Sequence, residues 1–290
     1  MTQFTQHSDA TGAAGMAPGG LRHSRQFDAI QPPPAALEEM FDLSGKTALV
    51  VGGYGGLGGA IARGLASRGA RLAVAGRDAE KASDFATDLP GQAIGIALDG
   101  GVVSDINRGV DHAAEALGGI DILVNCVGIN IEQYLLDVTE AAFDQVYATN
   151  LKSAMFLGQA AARHQIAAAQ GGKQIHMLSV SSHRGFFGKG YTAYCATKGA
   201  LIMLVRQHAL ELAPHNIQVN GVAPTYVATD MIRKKLDDPD LRSELTKCIP
   251  MGRIPEPEDV SGTTVFLASP AAGFVTGQVI YVDGGVSANR

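Results

Sequence analysis

From Gly45 onward, short apolar runs alternate with longer stretches in which apolar positions recur at helical spacing. This alternation is typical of βαβ units, which build a parallel sheet. Seven runs have the length of strands: Thr47–Val51, Arg71–Ala75, Ala93–Leu98, Ile120–Asn125, Gln174–Leu178, Ile217–Val222 and Val279–Val282. The pattern therefore predicts an α/β fold with a seven-stranded, doubly wound parallel sheet.

The stretches between these strands predict helices that would cover both faces of the sheet. They are Gly58–Ser67, Ala79–Thr87, Ser104–Leu117, Glu140–Gln165, Ala193–Leu212 and Glu256–Leu267. We expect a single Rossmann-type domain over residues 39–290, with ligands bound beyond the carboxyl ends of the strands.

Two segments fall outside this alternation. Residues 1–38 are rich in Gly, Ala, Gln, Ser and Pro and carry no sustained periodicity, which predicts a flexible N-terminal arm. Residues 226–253 are polar, are punctuated by proline and follow a strand end. We predict that this second segment is a lid over the substrate.

Composition narrows the range of partners. The net charge of −5 and the lack of a long Lys/Arg run argue against nucleic acid and anionic membranes as partners. Three scattered cysteines without CxxC spacing indicate neither a disulfide framework nor a metal site. No apolar run approaches the length of a membrane span. We expect a soluble, cytoplasmic protein that acts on a small molecule.

A glycine-rich turn follows the first predicted strand. Residues 51–59 read VGGYGGLGG and lead directly into a predicted helix. Glycines there let backbone N–H groups approach a pyrophosphate at the positive end of the helix. The turn predicts a dinucleotide site that includes Gly52, Tyr54, Gly55, Gly56, Leu57 and Gly58.

The end of the second strand bears on which dinucleotide binds. An acidic residue there usually holds the ribose hydroxyls of NAD, whereas an arginine favours the 2′-phosphate of NADP. Here Gly76 stands at the expected place of the acid and Arg77 follows it. NADP(H) is therefore favoured over NAD(H), although Asp78 leaves NAD open as the alternative.

Tyr194 and Lys198 lie four residues apart at the start of a predicted helix, and this spacing places both side chains on one face. A nearby positive charge stabilises a phenolate and lowers the pKa of the phenol towards the range useful for proton transfer. The pair is a candidate general acid and base.

With these motifs in order along the chain, the sequence resembles the short-chain dehydrogenase/reductase family from about Phe41 to the C-terminus. Residues 51–58 match the family's TGxxxGxG with Val51 in place of threonine, and residues 125–128 keep the first Asn and the Gly of its NNAG. Residues 219–229 resemble its VNxxxPGxxxT. The resemblance implies further cofactor contacts from Asp99, Gly100, Asn125, Val127, Gly128, Pro224, Val227 and Thr229, besides Tyr194 and Lys198.

The resemblance also implies catalytic roles for Asn150, which links the lysine to solvent through water, and for a serine. Three serines compete for that role. The end of the predicted fifth strand nominates Ser179, whereas the family's commonest separation from the tyrosine nominates Ser181. The residues that follow Ser182 favour Ser182. We rank the serines in that order because loops absorb insertions more easily than strands do.

The family resemblance implies an NAD(P)-dependent oxidoreductase that interconverts a secondary alcohol and a ketone, with Tyr194 as general acid and base. Residues 41–46 and 210–221 look like members that oxidise sugar acids and polyols, such as gluconate 5-dehydrogenases. A 3-oxoacyl-thioester reductase, another ketone reductase and a non-catalytic nucleotide-binding regulator remain alternatives. Family members are commonly tetramers, so we expect a homotetramer or a homodimer.

Overall fold

The computed structural model describes residues 36–37, 39–229, 232–233 and 236–288. Nearly all of the predicted N-terminal arm lies outside these residues. The seven strands form one sheet in the order β3-β2-β1-β4-β5-β6-β7, and every neighbouring pair is parallel. The predicted fold class is confirmed. The strands are β1 (Thr47–Val51), β2 (Arg71–Gly76), β3 (Ala93–Ala97), β4 (Ile122–Asn125), β5 (Gly172–Met177), β6 (Ile217–Pro224) and β7 (Val279–Val282).

Eight α-helices accompany the sheet within the described residues. They are α1 (Gly56–Ala66), α2 (Ala79–Thr87), α3 (Val103–Leu117), α4 (Glu140–Tyr147), α5 (Ser153–Ala168), α6 (Thr192–Leu212), α7 (Pro239–Lys247) and α8 (Pro257–Ala268). Among the described residues, none of these helices combines the length and the apolar character that crossing a membrane requires.

The sheet is covered on both faces, as its continuous apolar strands require. All five residues of β1 are buried. Ala48 and Val50 contribute to one core cluster, together with α1 and α8. Leu49 and Val51 point to the opposite face and pack with α3 and α5. The alternation of side chains along a strand therefore divides one apolar run between two cores.

The strand order reverses direction between β1 and β4. The chain proceeds from β1 towards β2 and β3 on one side, and from β4 towards β5, β6 and β7 on the other. In such sheets a crevice opens at this switch point, beyond the carboxyl ends of the strands. The segments that follow β1, β4, β5 and β6 therefore meet at one edge.

The predicted helix Glu140–Gln165 is wrong in one respect. A π-helical turn, Ala148–Lys152, separates α4 from α5 and contains Asn150. A π turn adds a residue to the helical repeat and is common at functional sites. Apolar periodicity continues across the turn, so the sequence pattern does not reveal it.

The predicted lid contains a helix that the sequence analysis did not assign. The carboxylate of Asp238 caps α7 by accepting hydrogen bonds from the backbone N–H groups of Asp240 and Leu241, and Pro239 is its first residue. Both are standard signals of a helix start. Because α7 is short and polar, its periodicity is weak. The lid itself stays a prediction.

Candidate active site

The glycine-rich turn after β1 has no room for side chains at several of its positions. Gly52 adopts a φ of +78°, in the left-handed region that favours glycine. A Cβ on Gly58 would lie 2.1 Å from the carbonyl oxygen of Gly52. A Cβ on Gly56 would lie 2.8 Å from the Cβ of Thr229, which follows β6. The turn is thus packed against the segment that follows β6, on the other side of the switch point.

This turn leaves the positive end of α1 open to a ligand. The helix begins at Gly56, two residues earlier than predicted, and its N-cap, Gly55, provides no side-chain cap. The first N–H groups of the helix therefore have no acceptor within the helix and suit a phosphate oxygen. The turn and the start of α1 fit the pyrophosphate of a dinucleotide.

The segments that follow β3 and β4 lie against each other. Asn125 is buried and accepts a hydrogen bond from the backbone N–H of Val127 at 3.0 Å. A Cβ on Gly100 would lie 3.1 Å from the Val127 side chain. The Asp99 carboxylate accepts a hydrogen bond from the N–H of Gly101 at 2.8 Å. The structure therefore brings these predicted cofactor residues together.

Beneath these residues, His176 of β5 is fully buried, and its Nδ1 lies 3.5 Å from the Asn125 amide nitrogen. Burial lowers the pKa of His176 to about 3, so the ring is neutral at physiological pH. Its Nε2 has no hydrogen-bond partner within the described part of the chain. His176 is thus a core histidine with a hydrogen-bond partner, in the region that the structure describes, at only one of its two ring nitrogens.

Arg77 and Asp78, the two residues that follow β2, have different surroundings. Arg77 is exposed. Asp78 caps α2, where its carboxylate accepts a hydrogen bond from the Lys81 N–H at 3.1 Å and pairs with the Lys81 ammonium at 3.2 Å. These bonds lower the pKa of Asp78. Asp78 is therefore engaged in helix capping.

A cavity of about 310 Å³ opens at the carboxyl edge of the sheet. The predicted site residues that line it are Leu57, Val127, Gly128, Ser179, Tyr194, Lys198, Pro224, Val227 and Thr229. It is also lined by residues that the sequence analysis did not single out: Cys126, Ile129, Asn130, Met177, Leu178, Thr225 and Ile232. All of these additional residues except Ile232 lie within two residues of a predicted one along the chain, and this proximity was the signal that could have identified them.

Within the cavity, the Tyr194 phenol lies beside the side chain of Ser179. Burial raises the pKa of Tyr194 above its usual value, and the neighbouring Ser179 hydroxyl opposes this rise. The phenol is therefore protonated at neutral pH. Among the three candidate serines, Ser179 is the one that touches the candidate acid.

The other two serines are engaged elsewhere. Ser181 is buried, and its side chain lies next to the Cys195 thiol. The Ser182 hydroxyl donates to the carbonyl oxygen of Ser179 at 2.6 Å and accepts from its N–H at 3.3 Å. Ser182 thus closes a single turn of 3₁₀ helix, Val180–Ser182, that begins immediately after Ser179.

Lys198 is buried one helical turn beyond Tyr194. Its ammonium donates a hydrogen bond to the carbonyl oxygen of Met177 at 2.7 Å and lies 5.7 Å from the centroid of the Tyr194 ring. Burial lowers the pKa of Lys198 to about 8. The expectation that Lys198 lowers the pKa of Tyr194 is not met, because burial dominates at the phenol and the ammonium is directed at β5.

Asn150 is held in the π turn by three hydrogen bonds. Its amide oxygen accepts from the N–H of Ile129 at 2.8 Å, and its amide nitrogen donates to the carbonyl oxygen of Ile129 at 2.9 Å and to the Thr197 hydroxyl at 3.2 Å. Gly128 lies between Asn150 and Lys198, since a Cβ there would be 3.6 Å from the Asn150 oxygen and 3.4 Å from the lysine nitrogen. Sequence reasoning missed Thr197, which gives no signal besides its place between Tyr194 and Lys198.

Comparison with known proteins decides the family. A family model described as enoyl-(acyl carrier protein) reductase matches residues 52–287. A gluconate 5-dehydrogenase of Gluconobacter oxydans is 36% identical over 252 residues, which cover 86% of this chain and 97% of that protein. The chain belongs to the short-chain dehydrogenase/reductase family. It is accordingly an oxidoreductase of the NAD(P)-dependent type.

Other members of the short-chain dehydrogenase/reductase family show the same extent of similarity. A sorbitol dehydrogenase of Cereibacter sphaeroides is 36% identical and covers 84% of this chain and 98% of its own length. The crystal structure of a gluconate 5-dehydrogenase from Burkholderia cenocepacia, in complex with NADP and tartrate, is 34% identical. It superposes with a TM-score of 0.83 over 88% of this chain and all of that one. The relatives therefore span the whole domain.

Proposed function

We propose that this protein interconverts a secondary alcohol and a ketone, with Tyr194 as the group that gives and takes the proton. The observation that carries the proposal is the position of the Tyr194 phenol beside Ser179, with Lys198 one helical turn away. All three side chains line the cavity at the carboxyl edge of the sheet. Bound NAD(P)(H) supplies or accepts the hydride.

The four polar residues divide the remaining work. In reduction, Tyr194 donates its phenolic proton to the oxygen of the substrate, while the Ser179 hydroxyl donates a hydrogen bond to the same oxygen and fixes its position. In oxidation, the proton transfer and the hydride transfer both run in the opposite direction. Lys198 binds the ribose next to the nicotinamide and returns a proton to Tyr194. Asn150 holds the water through which Lys198 communicates with solvent.

NADP(H) is the cofactor that we propose in preference to NAD(H). Arg77 is exposed at the end of β2, whereas the nearby carboxylate of Asp78 is engaged in capping α2. The related structure from Burkholderia cenocepacia contains NADP. The pyrophosphate would bind at Gly55, Gly56 and Leu57. The remaining predicted contacts with the cofactor come from Gly52, Tyr54, Gly58, Asp99, Gly100, Asn125, Val127, Gly128, Pro224, Val227 and Thr229.

The substrate class that we propose is a sugar acid, a polyol or a related small hydroxy or keto compound. The names of the relatives support it, since they include gluconate 5-dehydrogenase and sorbitol dehydrogenase. The name of the matching family model supports one alternative, an acyl thioester. A screen of both cofactors against sugar acids, polyols, simple ketones and 3-oxoacyl thioesters at several pH values separates these classes.

Substitution of Tyr194 tests the mechanism. Tyr194→Phe removes the proton donor and keeps the ring, so we expect turnover to fall by about 10³-fold while the affinity for NADP(H) stays unchanged. Turnover is measured by the absorbance of the reduced nicotinamide, and binding by calorimetry. Tyr147→Phe, on the exposed surface of α4, is the matched control. Substantial turnover in Tyr194→Phe would refute the assignment.

A wild-type protein that binds cofactor but oxidises and reduces nothing in the screen would favour the alternative of a nucleotide-binding regulator.

A further inference from the structure

The ring of Tyr54 lies against the carboxyl end of β2. A Cβ placed on Gly76 would lie 2.3 Å from Cε1, 2.7 Å from Cζ and 2.8 Å from the hydroxyl oxygen of Tyr54. The backbone N–H of Asp78 donates a hydrogen bond to that oxygen at 3.1 Å. The ring is therefore fixed by contact with Gly76 and by a hydrogen bond at its tip.

This placement keeps a carboxylate away from the ribose. In dinucleotide-binding folds, the acidic residue that reads the ribose hydroxyls stands at the end of the second strand. At Gly76, any side chain would meet the Tyr54 ring. Asp78 is held by the Lys81 N–H and the Lys81 ammonium at the start of α2. Position 76 therefore offers no acceptor for a ribose hydroxyl, and the Asp78 carboxylate is already shared with two donors at the start of α2.

The same placement leaves two donors facing outward. Because the Tyr54 oxygen already accepts a hydrogen bond from Asp78, its own proton is available for a further acceptor. Arg77 is exposed, and it makes no ion pair with any residue that the structure describes. A phenolic O–H and a guanidinium together suit a phosphate monoester, which accepts strong charge-assisted hydrogen bonds.

We propose that Tyr54 is the specificity-determining residue of the cofactor site: its hydroxyl binds the 2′-phosphate of NADP(H) together with Arg77, and its ring excludes an acidic side chain from position 76. The proposal rests on the proposed function, since it concerns the cofactor of that reaction. It assigns one side chain two separable roles, a donor and a steric block, and each role has its own test.

The donor role is tested by calorimetry with two fragments that lack nicotinamide, 2′,5′-ADP and 5′-ADP. Tyr54→Phe removes the hydroxyl and keeps the ring. We expect the Kd of 2′,5′-ADP to rise by about tenfold, the size typical of one hydrogen bond to a charged group, and the Kd of 5′-ADP to stay unchanged. Tyr147→Phe is the matched control. An equal change for both fragments, or no change for 2′,5′-ADP, would overturn the donor role.

The steric role is tested by comparing a single variant at position 76 with a double variant at positions 54 and 76. Gly76→Asp alone introduces a side chain that clashes with the Tyr54 ring. We therefore expect this variant to bind 5′-ADP no better than the wild type and to unfold at a lower temperature. Tyr54→Ser combined with Gly76→Asp opens the space. We expect this double variant to bind 5′-ADP about tenfold more tightly than Gly76→Asp alone. If the single and double variants bind 5′-ADP equally well, the ring is not the block.

Fragment binding separates this proposal from the proposed function. A wild-type protein that prefers 2′,5′-ADP and loses this preference in Tyr54→Phe supports the role of Tyr54, even if no alcohol or ketone is turned over. The converse result is an active wild-type enzyme whose Tyr54→Phe variant keeps the wild-type ratio of the two Kd values. That result would support the proposed function and refute the donor role of Tyr54.

Discussion

Ser179 and Ser181 are two residues apart and have different surroundings. Ser179 follows β5 in extended conformation, and its hydroxyl lies beside the Tyr194 phenol at the cavity. Ser181 lies inside the 3₁₀ turn, is buried and lies next to Cys195, whose thiol pKa is raised by burial. The backbone turn, and not the chemistry of the side chains, separates a residue at the cavity from one beside it.

Substitution of each serine by alanine tests this distinction. We expect Ser179→Ala to lower kcat/KM by about 10²-fold, because it removes the hydrogen bond that orients the substrate oxygen. Ser181→Ala, the matched control, keeps this bond and should stay close to the wild-type value. Steady-state kinetics with the best substrate from the screen measures both. A larger loss in Ser181→Ala than in Ser179→Ala would reverse the assignment.

The buried ammonium of Lys198 predicts a dependence of stability on pH. Burial depresses the pKa of Lys198 from 10.5 to about 8. Between these two values the unfolded chain holds a proton that the folded chain has released, so the free energy of unfolding increases with pH. Relative to Lys198→Met, the wild type should gain roughly 2 to 3 kcal/mol between about pH 7 and about pH 10.

Denaturant unfolding of both proteins at these pH values measures the difference. Lys247→Met removes an exposed lysine and is the control, for which we expect a difference that does not vary with pH. A difference for Lys198→Met that is equally flat would show that the ammonium is not desolvated in the folded protein.

At this scale, the sequence predicts which residues form the site but not the protonation states of their side chains. The spacing of Tyr194 and Lys198 placed both side chains on one face of α6. Their pKa values depend on burial by β5 and on the carbonyl oxygen of Met177, which is distant in sequence. The ambiguity among the serines has the same origin, because the contact with Tyr194 that supports Ser179 depends on tertiary packing and is not visible in the sequence.

At the scale of elements, the strands were predictable because parallel strands buried on both faces appear as continuous apolar runs. Each of the seven predicted strands is present, with ends that differ by at most two residues. The π turn at Ala148–Lys152 was not predictable, because the hydrogen bonds of Asn150 join it to Ile129 and Thr197 on other segments. Tertiary contacts, and not local propensity, stabilise this turn.

The capping of α7 gives a prediction for the lid. Asp238→Ala removes the N-cap, which typically stabilises a helix by about 1 kcal/mol. If α7 closes over the substrate, KM for the substrate should rise while the Kd of NADP(H) stays constant, and hydrogen exchange in α7 should become faster. Asp237→Ala, at an exposed neighbouring position, is the control. Faster exchange without any change in KM would show that α7 does not act as a lid.

At the scale of the whole molecule, the helices that carry Asn150 and Tyr194 present an apolar surface. Phe143 of α4, Met155 of α5, and Met203 and Leu210 of α6 are all exposed. Contiguous apolar surface on a water-soluble domain commonly marks a site of association. This surface supports the proposal that α4, α5 and α6 form the interface of a homotetramer.

Size-exclusion chromatography with light scattering tests the assembly. We expect four copies of the 30.1 kDa chain in the wild type and a smaller species when Met203 and Leu210 are both replaced by glutamate, because buried unpaired charges oppose association. Val102→Glu, at an exposed apolar residue outside this surface, is the control. A monomeric wild type would contradict the proposal.

The contact between Tyr54 and Gly76 also has a consequence for how this protein can change over successive generations. A substitution at position 76 alone would produce a protein in which the new side chain and the aromatic ring of Tyr54 compete for the same space. An exchange at position 54 creates no such conflict. A lineage that shifts towards NAD would therefore have to lose the aromatic ring at position 54 before it gains a carboxylate at position 76. The order of these two substitutions is thus constrained by the steric contact.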